Sequence, residues 1–433
     1  MVGFSLGTAI DLFRTTIRNP ALRAHALGFF LFTCAELMSW TGLLIYAHEE
    51  TGADSVSLVV VARLVPAALL APFVASIGDR LPRHGVLIAA FGIQALTIGG
   101  IGYGILTHAS PLTVYAIAVV SSVTLTLTRP VHGAIVPEMA TEPRELTAAN
   151  GLAAIGEGLG TFLGPLLLGV LIARHEQLGE EGFARRDVGG AFIVAAGALV
   201  LSAIFSWRAV SIAHARGASA APRGEGARAG SAEPAPRLIR FRSHLLGGLR
   251  EVLRDRDFIA VMALLTGRFV ILGGLEVALV LVSIDLLGAG EDSAGFLMAA
   301  LGLGVILGGG TAFAIAGRRR LAPWMGIASI VVGVQFALLG GSRTELQAIA
   351  LLVVGGVGLA VLDAVGATLL QRIAPDELLA RVFGVLQGML LLGQAAGAVV
   401  VGPLASALGI PITLVILGLC LLYTSPSPRD ATL

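Results

Sequence analysis

Lysine is absent from this 433-residue chain, so all 29 of its basic residues are arginine. A Walker-type phosphate loop needs a lysine to reach the terminal phosphates of a nucleotide, so ATP hydrolysis through such a loop is excluded. A Schiff base to retinal or pyridoxal phosphate forms on a lysine amine, so that chemistry is excluded as well.

Cysteine and charge are also scarce. The two cysteines, Cys34 and Cys420, both lie in apolar runs, which argues against a disulfide framework or a zinc site. Metal-spaced histidine clusters and the HExxH and GxSxG motifs are missing too, so we expect no metal, no cofactor and no enzymatic activity. The net charge of +1 gives no basic field for nucleic acid, and 13% charged residues are too few to cover a soluble domain.

Apolar residues make up 56% of the chain, and the mean hydropathy is +0.88. A helix needs about 20 apolar residues to cross about 30 Å of hydrocarbon. Twelve runs of suitable length predict an all-α membrane protein, with twelve transmembrane helices arranged as two pseudo-symmetric six-helix bundles. The predicted spans are 25–46, 55–77, 85–106, 111–133, 149–173, 188–207, 258–284, 293–316, 322–341, 345–370, 380–402 and 407–423.

The arginines predict the orientation of these spans. If both termini are cytoplasmic, the cytoplasmic segments hold 21 arginines and the external loops hold four. Because segments rich in arginine stay on the cytoplasmic side, this bias favours that orientation. We therefore expect a multi-pass protein of the bacterial cytoplasmic (inner) membrane.

The composition changes between the two predicted bundles, which we place at 1–207 and 258–423. Residues 213–236 are rich in Ala, Gly, Pro, Arg and Ser, as in a flexible cytoplasmic linker. Residues 238–254 mix apolar side chains with arginines. That pattern is compatible with an amphipathic helix on the inner leaflet and equally with a linker helix that packs on the protein.

An internal repeat supports the division into halves. The sequence Pro-Arg-Glu-Leu at 143–146 follows span 4, and Pro-Asp-Glu-Leu at 375–378 follows span 10, at an offset of 232. Each precedes a glycine-rich span, and parallel repeated halves are a known plan of secondary transporters. Span 12 is shorter than the others and ends in a polar, proline-bearing segment, so we expect a truncated last helix and a non-native tail at 424–433. A short genuine tail is the alternative, and a missing regulatory domain stays open.

Three short motifs, at 78–84, 129–133 and 160–165, lie within the predicted spans or next to them. Together with six plus six spans around a long central loop, they resemble the major facilitator superfamily. Residues 78–84, Gly-Asp-Arg-Leu-Pro-Arg-His, are similar to the family loop G-x-x-x-D-R-x-G-R-R, although Ala75 and Pro82 replace its two glycines. Residues 317–320 repeat only the basic end of this loop in the second half. The resemblance implies a conformational latch formed by Asp79, Arg80 and Arg83.

The other two motifs lie inside spans 4 and 5. The sequence Arg-Pro-Val-His-Gly at 129–133 resembles the R-x-x-Q-G element of proton-coupled members, with His132 in place of glutamine. Residues 160–165 resemble the G-x-x-x-G-P element of antiporters. The chain is most similar to the branch of macrolide and siderophore exporters. Small residues at four-residue spacing allow close helix packing, and a proline kinks a helix, which predicts a packing face or hinge at Gly156, Gly160, Gly164 and Pro165.

Charged side chains inside predicted spans are functional candidates, because a charge at mid-membrane is costly. Proton coupling needs a carboxyl group that holds a proton when desolvated and releases it near water or a cation. Glu36 is the first choice, since its own helix carries no cationic neighbour within a turn or two, so that an apolar cavity could hold it protonated. Asp285 lies near an external end, where we expect it to be solvated. The other candidates are Arg63, Arg129, Glu157, Arg268, Glu276 and Asp363.

Each of these charges also has a structural interpretation. Glu157 is either a proton site or the ion-pair partner of Arg129, and we favour the pair. Arg63 is as compatible with pairing to a carboxylate on a neighbouring helix as with binding substrate. Arg268 and Glu276 are about 12 Å apart along their helix, so each needs another partner. Gln335, Gln387 and Gln394 could line a cavity, although hydrogen bonding between helices is the commoner use.

We therefore predict a monomeric exporter of small molecules, either drug-like compounds or secondary metabolites, that works by proton antiport and alternating access. Its substrate would lie near the midplane, between spans 1, 4, 5, 7 and 10. One alternative is a symporter for uptake of a nutrient or organic anion, with Arg63, Arg129 and Arg268 as ligands. Another is a membrane sensor on the same fold that transports nothing.

Overall fold

The computed structural model describes residues 18–78, 81–139, 143–177, 185–215, 256–316, 322–373 and 379–424. Regular structure within these ranges is helical, which confirms the predicted fold class. The helices are α1 Pro20–Thr51, α2 Ala53–Gly78, α3 Arg83–Leu106, α4 Pro111–Met139, α5 Pro143–Gln177, α6 Arg185–Ala215, α7 Arg256–Leu281, α8 Glu291–Ala316, α9 Ala322–Leu339, α10 Glu345–Ile373, α11 Leu379–Leu408 and α12 Ile410–Thr424.

Every predicted span overlaps one of these helices, but some ends differ. Helix α6 continues to Ala215, eight residues past the predicted end at 207. Span 12 was placed from 407, whereas Gly409 ends α11 with φ of 83° and α12 starts at Ile410. A left-handed glycine is the common end of a helix, and Pro411 suits the first turn of the next one.

Helix length and surface composition match a lipid environment. Nine helices of the described chain are long and apolar enough to cross a membrane, and shorter apolar helical stretches lie at Ser55–Leu70, Pro323–Leu339 and Ile410–Leu421. Large apolar side chains such as Leu96 and Leu112 point outward and are more than three-quarters exposed. Such a surface suits lipid rather than water, and the chain is a multi-pass membrane protein.

The contacts divide the chain into two compact units. Of the described residues, 18–46 and those from 66 to 215 belong to the first unit, while 47–65 and those from 256 to 424 belong to the second. The sequence prediction assigns 47–65 to the N-terminal bundle. In the second unit this stretch is held by polar contacts: Gly402 donates its backbone N–H to Ser57 Oγ at 3.1 Å, and His48 Nε2 lies 3.5 Å from Asp285 Oδ1.

Equivalent helix pairs recur in the two units. In the first unit, α3 packs on α6, and a Cβ built on Gly102 would lie 2.8 Å from the carbonyl oxygen of Gly189. In the second unit, α9 packs on α12, where a Cβ on Gly418 would overlap the carbonyl oxygen of Gly333. These are the third and sixth helices of each half, so the same glycine-mediated packing appears twice.

The predicted linker spans 208–257, between the two bundles. Its ends are helical instead, because α6 continues to Ala215 and α7 begins at Arg256, while 216–255, with the predicted amphipathic helix, lie outside the described residues. Of the tail predicted at 424–433, Thr424 is the last residue of α12, and 425–433 are outside the described residues, as are 317–320. The predictions for these segments therefore stay predictions.

Candidate functional site

The glycines of α5 bring this helix against the backbone of α1. A Cβ on Gly160 would lie 2.7 Å from the Thr33 side chain, and one on Gly164 would lie 2.6 Å from the Cys34 carbonyl oxygen. Only glycine allows such an approach, because any side chain would push the helices apart. The close packing brings Glu36 of α1 near Glu157, the carboxylate of α5.

The remaining residues of the predicted α5 motif are placed less tightly. A Cβ on Gly156 would make an ordinary contact of 3.7 Å with Phe30. Pro165 is buried inside α5, which continues to Gln177. The hinge role of Pro165 stays a prediction.

An arginine shared by two carboxylates joins three helices of the first unit. Arg129 of α4 donates from Nη2 to Glu36 Oε2 at 2.9 Å and from Nη1 to Glu157 Oε1. Its guanidinium also lies 6.0 Å from the Phe32 ring centroid, within cation–π range. The exposed side-chain fractions are 16% for Glu36, 37% for Arg129 and 48% for Glu157, so Glu157 on α5 is the most exposed member of the cluster.

The cluster changes the interpretation of Glu36. The structure contains the ion pair between Arg129 and Glu157 that we favoured from sequence. Glu36, however, is not an isolated carboxyl in an apolar cavity, because α4 supplies a cation that the sequence of α1 alone does not reveal. Arg129 therefore supplies Glu36 with a counter-ion from a neighbouring helix.

Sequence reasoning missed a second feature next to this cluster. His132, which replaces the glutamine of the family motif, stacks on His25 of α1 with ring centroids 4.0 Å apart. Phe29 covers His132 at 3.9 Å, and both histidines are buried. The motif position pointed to His132, whereas His25 carried no sequence signal.

The second unit holds two further pairs of polar groups. Arg268 of α7 donates from Nη2 to Asp363 Oδ2 of α10, and Gln394 Nε2 of α11 lies 3.0 Å from each carboxylate oxygen of Glu276. The prediction that Arg268 and Glu276 each need a separate partner is confirmed. Gln394 makes the hydrogen bond between helices that we considered its commoner use.

The two units carry matching ion pairs with opposite polarity. In the first unit the carboxylate, Glu36, is on the first helix of the half and the arginine, Arg129, is on the fourth. In the second unit the arginine, Arg268, is on the first helix and the carboxylate, Asp363, is on the fourth. In each unit, one charge pair thus joins the first helix of that half to its fourth helix.

Two other charged candidates are Arg63, inside the 47–65 stretch, and Asp285, which contacts that stretch through His48. Arg63 is a partly buried residue of α2, and its proposed pairing stays a prediction. Asp285 lies in a π-helical turn, Val282–Leu286, that follows α7, and its side chain is 44% exposed, as expected for a residue near a span end.

The structure describes only one residue of the predicted latch, Arg83. Asp79 and Arg80 lie outside the described residues, while Arg83 is exposed at the start of α3 and donates from Nη1 to Glu138 Oε1 of α4 at 3.2 Å. His84 Nε2 lies 3.6 Å from the other oxygen of Glu138. Whether this loop acts as a latch stays a prediction.

Replacing Arg83 by glutamine tests whether this pair matters for stability. Both partners are more than 40% exposed, so the free energy of unfolding should fall by less than about 1 kcal/mol. Thermal unfolding of the purified chain in detergent measures the change. A slower transport rate at unchanged stability is the result expected of a latch, and a loss above about 2 kcal/mol would show a structural role instead.

The twelve helices of the described chain carry charged pairs inside apolar stretches, which is typical of membrane transporters. The family model described as Major Facilitator Superfamily matches residues 26–397, and the chain belongs to that superfamily, so it is a transporter rather than an enzyme. No curated protein matches its sequence.

Solved structures with a similar fold include other transporters. A POT family transporter in complex with 5-aminolevulinic acid is 16% identical, with a TM-score of 0.67, 93% of this chain covered and 94% of that chain. A mutant of the nucleoside transporter NupG is 12% identical, with a TM-score of 0.70 and coverage of 94% and 98%. At these identities the likeness concerns the fold alone.

Proposed function

We propose that this transporter exports small molecules by proton antiport with alternating access, and that Glu36, Arg129 and Glu157 form its proton site. The observation that carries the proposal is the single guanidinium that two carboxylates share across α1, α4 and α5. The cluster lies inside apolar helices and is partly exposed, so that protons can reach it. Charges placed there at a cost are expected to serve transport.

The geometry suggests how a proton could be linked to helix position. Protonation of Glu36 removes its negative charge, so its bond from Arg129 loses most of its strength, while Glu157 still holds the arginine. Helix α1 is then less firmly tied to α4. Loss of the proton restores the charged bond, and the two states of the cluster favour two arrangements of the helices.

The arginine bias supports the proposed location. With 21 arginines in one set of loops and four in the other, we infer cytoplasmic termini and residence in a bacterial inner membrane. A monomer is sufficient for the mechanism, because both repeated halves lie on one chain.

Export by the macrolide and siderophore branch is the finer part of the proposal, and it depends on the motif resemblances at 129–133 and 160–165. The similar solved structures include a nucleoside transporter and a POT family transporter holding 5-aminolevulinic acid. Uptake by symport is therefore the second candidate. The partly satisfied guanidinium of Arg268 favours an anionic group on its substrate.

Proton movement in inside-out membrane vesicles tests the proposal. Lipophilic cations, macrolides and catechol-type acids are added in turn to vesicles with an imposed pH gradient. One compound class should collapse the gradient in the wild type, and Glu36→Gln should lose that response because its side chain takes up no proton. Glu49→Gln, an exposed carboxylate on the same helix, is the matched control and should behave as the wild type.

If no compound moves protons while the protein is shown to be folded, proton antiport is wrong. A response that survives in Glu36→Gln would instead remove Glu36 from the proton site. A sensor that transports nothing would give neither response.

A further inference from the structure

Arg268 is a buried cation with only part of its hydrogen-bonding capacity used. Its side chain is 7% exposed, and Nη2 is bound to Asp363. Among the described residues, no acceptor reaches its Nε or Nη1, although both atoms are buried. A buried guanidinium donor without an acceptor is costly, so an oxygen-bearing group is expected to occupy this place during the working cycle.

The surroundings of Arg268 fix its orientation. Asp363 holds one edge of the guanidinium, and the Phe269 ring lies 4.6 Å from its central carbon. The donors at Nε and Nη1 thus point in set directions. Nε and Nη1 lie on different edges of the planar guanidinium, each shared with Nη2, so an oxyanion would take one of these edges, in a fixed direction that a flexible ammonium group does not offer.

Arg129 in the first unit shows the contrast. Both of its Nη atoms donate to protein carboxylates, Glu36 and Glu157. Arg268 has one carboxylate partner where Arg129 has two. Among the described residues of the second unit, no carboxylate takes the place that Glu157 of α5 has in the first.

We propose that Arg268 recognises a carboxylate of the transported compound, with Asp363 as the residue that positions the guanidinium. A ligand carboxylate brings a single negative charge to Arg268. A phosphate would add up to two charges to a desolvated site, which costs more. The proposal rests on the proposed function only for the existence of a transported compound, and it names the chemical class of that compound.

Asp363 is 48% exposed beside the nearly buried arginine. A carboxylate in the middle of an apolar helix that faces lipid would be very unfavourable, so this exposed side faces a water-accessible space. A ligand that comes from this side meets Asp363 first, and Nε and Nη1 of Arg268, which are buried here, are reached only after the surrounding helices move. This access distinguishes the pair from an ion pair sealed inside a helix bundle.

Binding to the purified full-length chain in detergent tests the proposal without any proton gradient. The probes are acetate, benzoate and indole-3-acetate, each paired with its methyl ester, together with inorganic phosphate. At least one carboxylate should raise the thermal unfolding midpoint at concentrations at least about tenfold lower than its ester, because the ester leaves the arginine donors unpaired. Phosphate should act more weakly than that carboxylate.

Three variants separate recognition from folding. Arg268→Lys keeps the charge and loses the fork, so the preference for carboxylate over ester should fall at least about tenfold. Asp363→Asn keeps the guanidinium and an oxygen acceptor for Nη2, so the preference should remain. Arg343→Gln removes an exposed loop arginine of the same unit and should bind as the wild type does.

The proposal is overturned if no carboxylate stabilises the wild type up to about 10 mM, if acids and esters act alike, or if folded Arg268→Lys keeps the full preference. Loss of the preference in folded Asp363→Asn also counts against it. A carboxylate preference without proton movement in vesicles would leave this site standing and refute proton antiport. If a compound moves protons but carboxylates bind no better than their esters, proton antiport stands and this site is refuted.

Discussion

Replacement of Arg129 by glutamine is expected to abolish proton-coupled transport and to lower the free energy of unfolding by about 2–4 kcal/mol. The substitution removes two charge-assisted bonds at once and leaves Glu36 and Glu157 close together without a cation. Without the guanidinium that both carboxylates share, the cluster has no cation to exchange against a proton, so the transport cycle should stop. The partial exposure of the cluster keeps the stability cost below that of a fully buried pair.

Thermal unfolding in detergent and the vesicle proton assay measure the two effects. Arg129→Lys preserves the charge but cannot serve two carboxylates with one fork, so it should recover stability better than transport. The double variant Arg129→Gln with Glu36→Gln removes one orphaned carboxylate and should regain part of the lost stability. Full transport by folded Arg129→Gln would contradict the role assigned to the cluster.

The second large effect is expected from Gly397→Ala on α11. A Cβ at this position would overlap the Val270 carbonyl oxygen and lie 2.9 Å from the Gly274 backbone nitrogen. Backbone atoms of α7 cannot move away alone, so the two helices have to separate, at a cost of about 1–3 kcal/mol. Thermal unfolding in detergent should show the loss.

Gly326→Ala on α9 is the matched control, because a Cβ there meets nothing within 4 Å. Its stability should change by less than about 1 kcal/mol, since alanine favours the helix slightly over glycine. Equal effects of the two substitutions would mean that the α7–α11 packing does not depend on a missing side chain.

The apolar runs predicted the helices because crossing a bilayer fixes the length of a span. The misplaced ends have a physical reason. Hydropathy marks only the part of a helix in hydrocarbon, while a helix such as α6 continues to Ala215 through a mixed stretch whose polar residues, Arg208, Ser211 and His214, are exposed. At 407–410 the apolar sequence is continuous, and only the left-handed Gly409 separates two helices.

Charged residues of the site stood out in the sequence because any charge is conspicuous against apolar spans. Their partners did not, since Arg129 meets Glu36 and Glu157 from helices that are distant in sequence. His25 gave no signal, because a single histidine in an apolar run has no pattern that predicts a stacked partner. Likewise, the grouping of 47–65 with the second unit depends on contacts such as Ser57 with Gly402, which spacing along the chain does not encode.

The direction of coupling is the central claim, and accumulation of one labelled compound in proteoliposomes tests it most directly. The compound is the one that moves protons in the vesicle assay, and the pH gradient is imposed first with an acid lumen and then with an acid exterior. Antiport predicts accumulation only when the lumen is acid, whatever the orientation of the protein, and loss of accumulation in Glu36→Gln. Accumulation driven by an acid exterior would identify a symporter and contradict the proposed export mechanism.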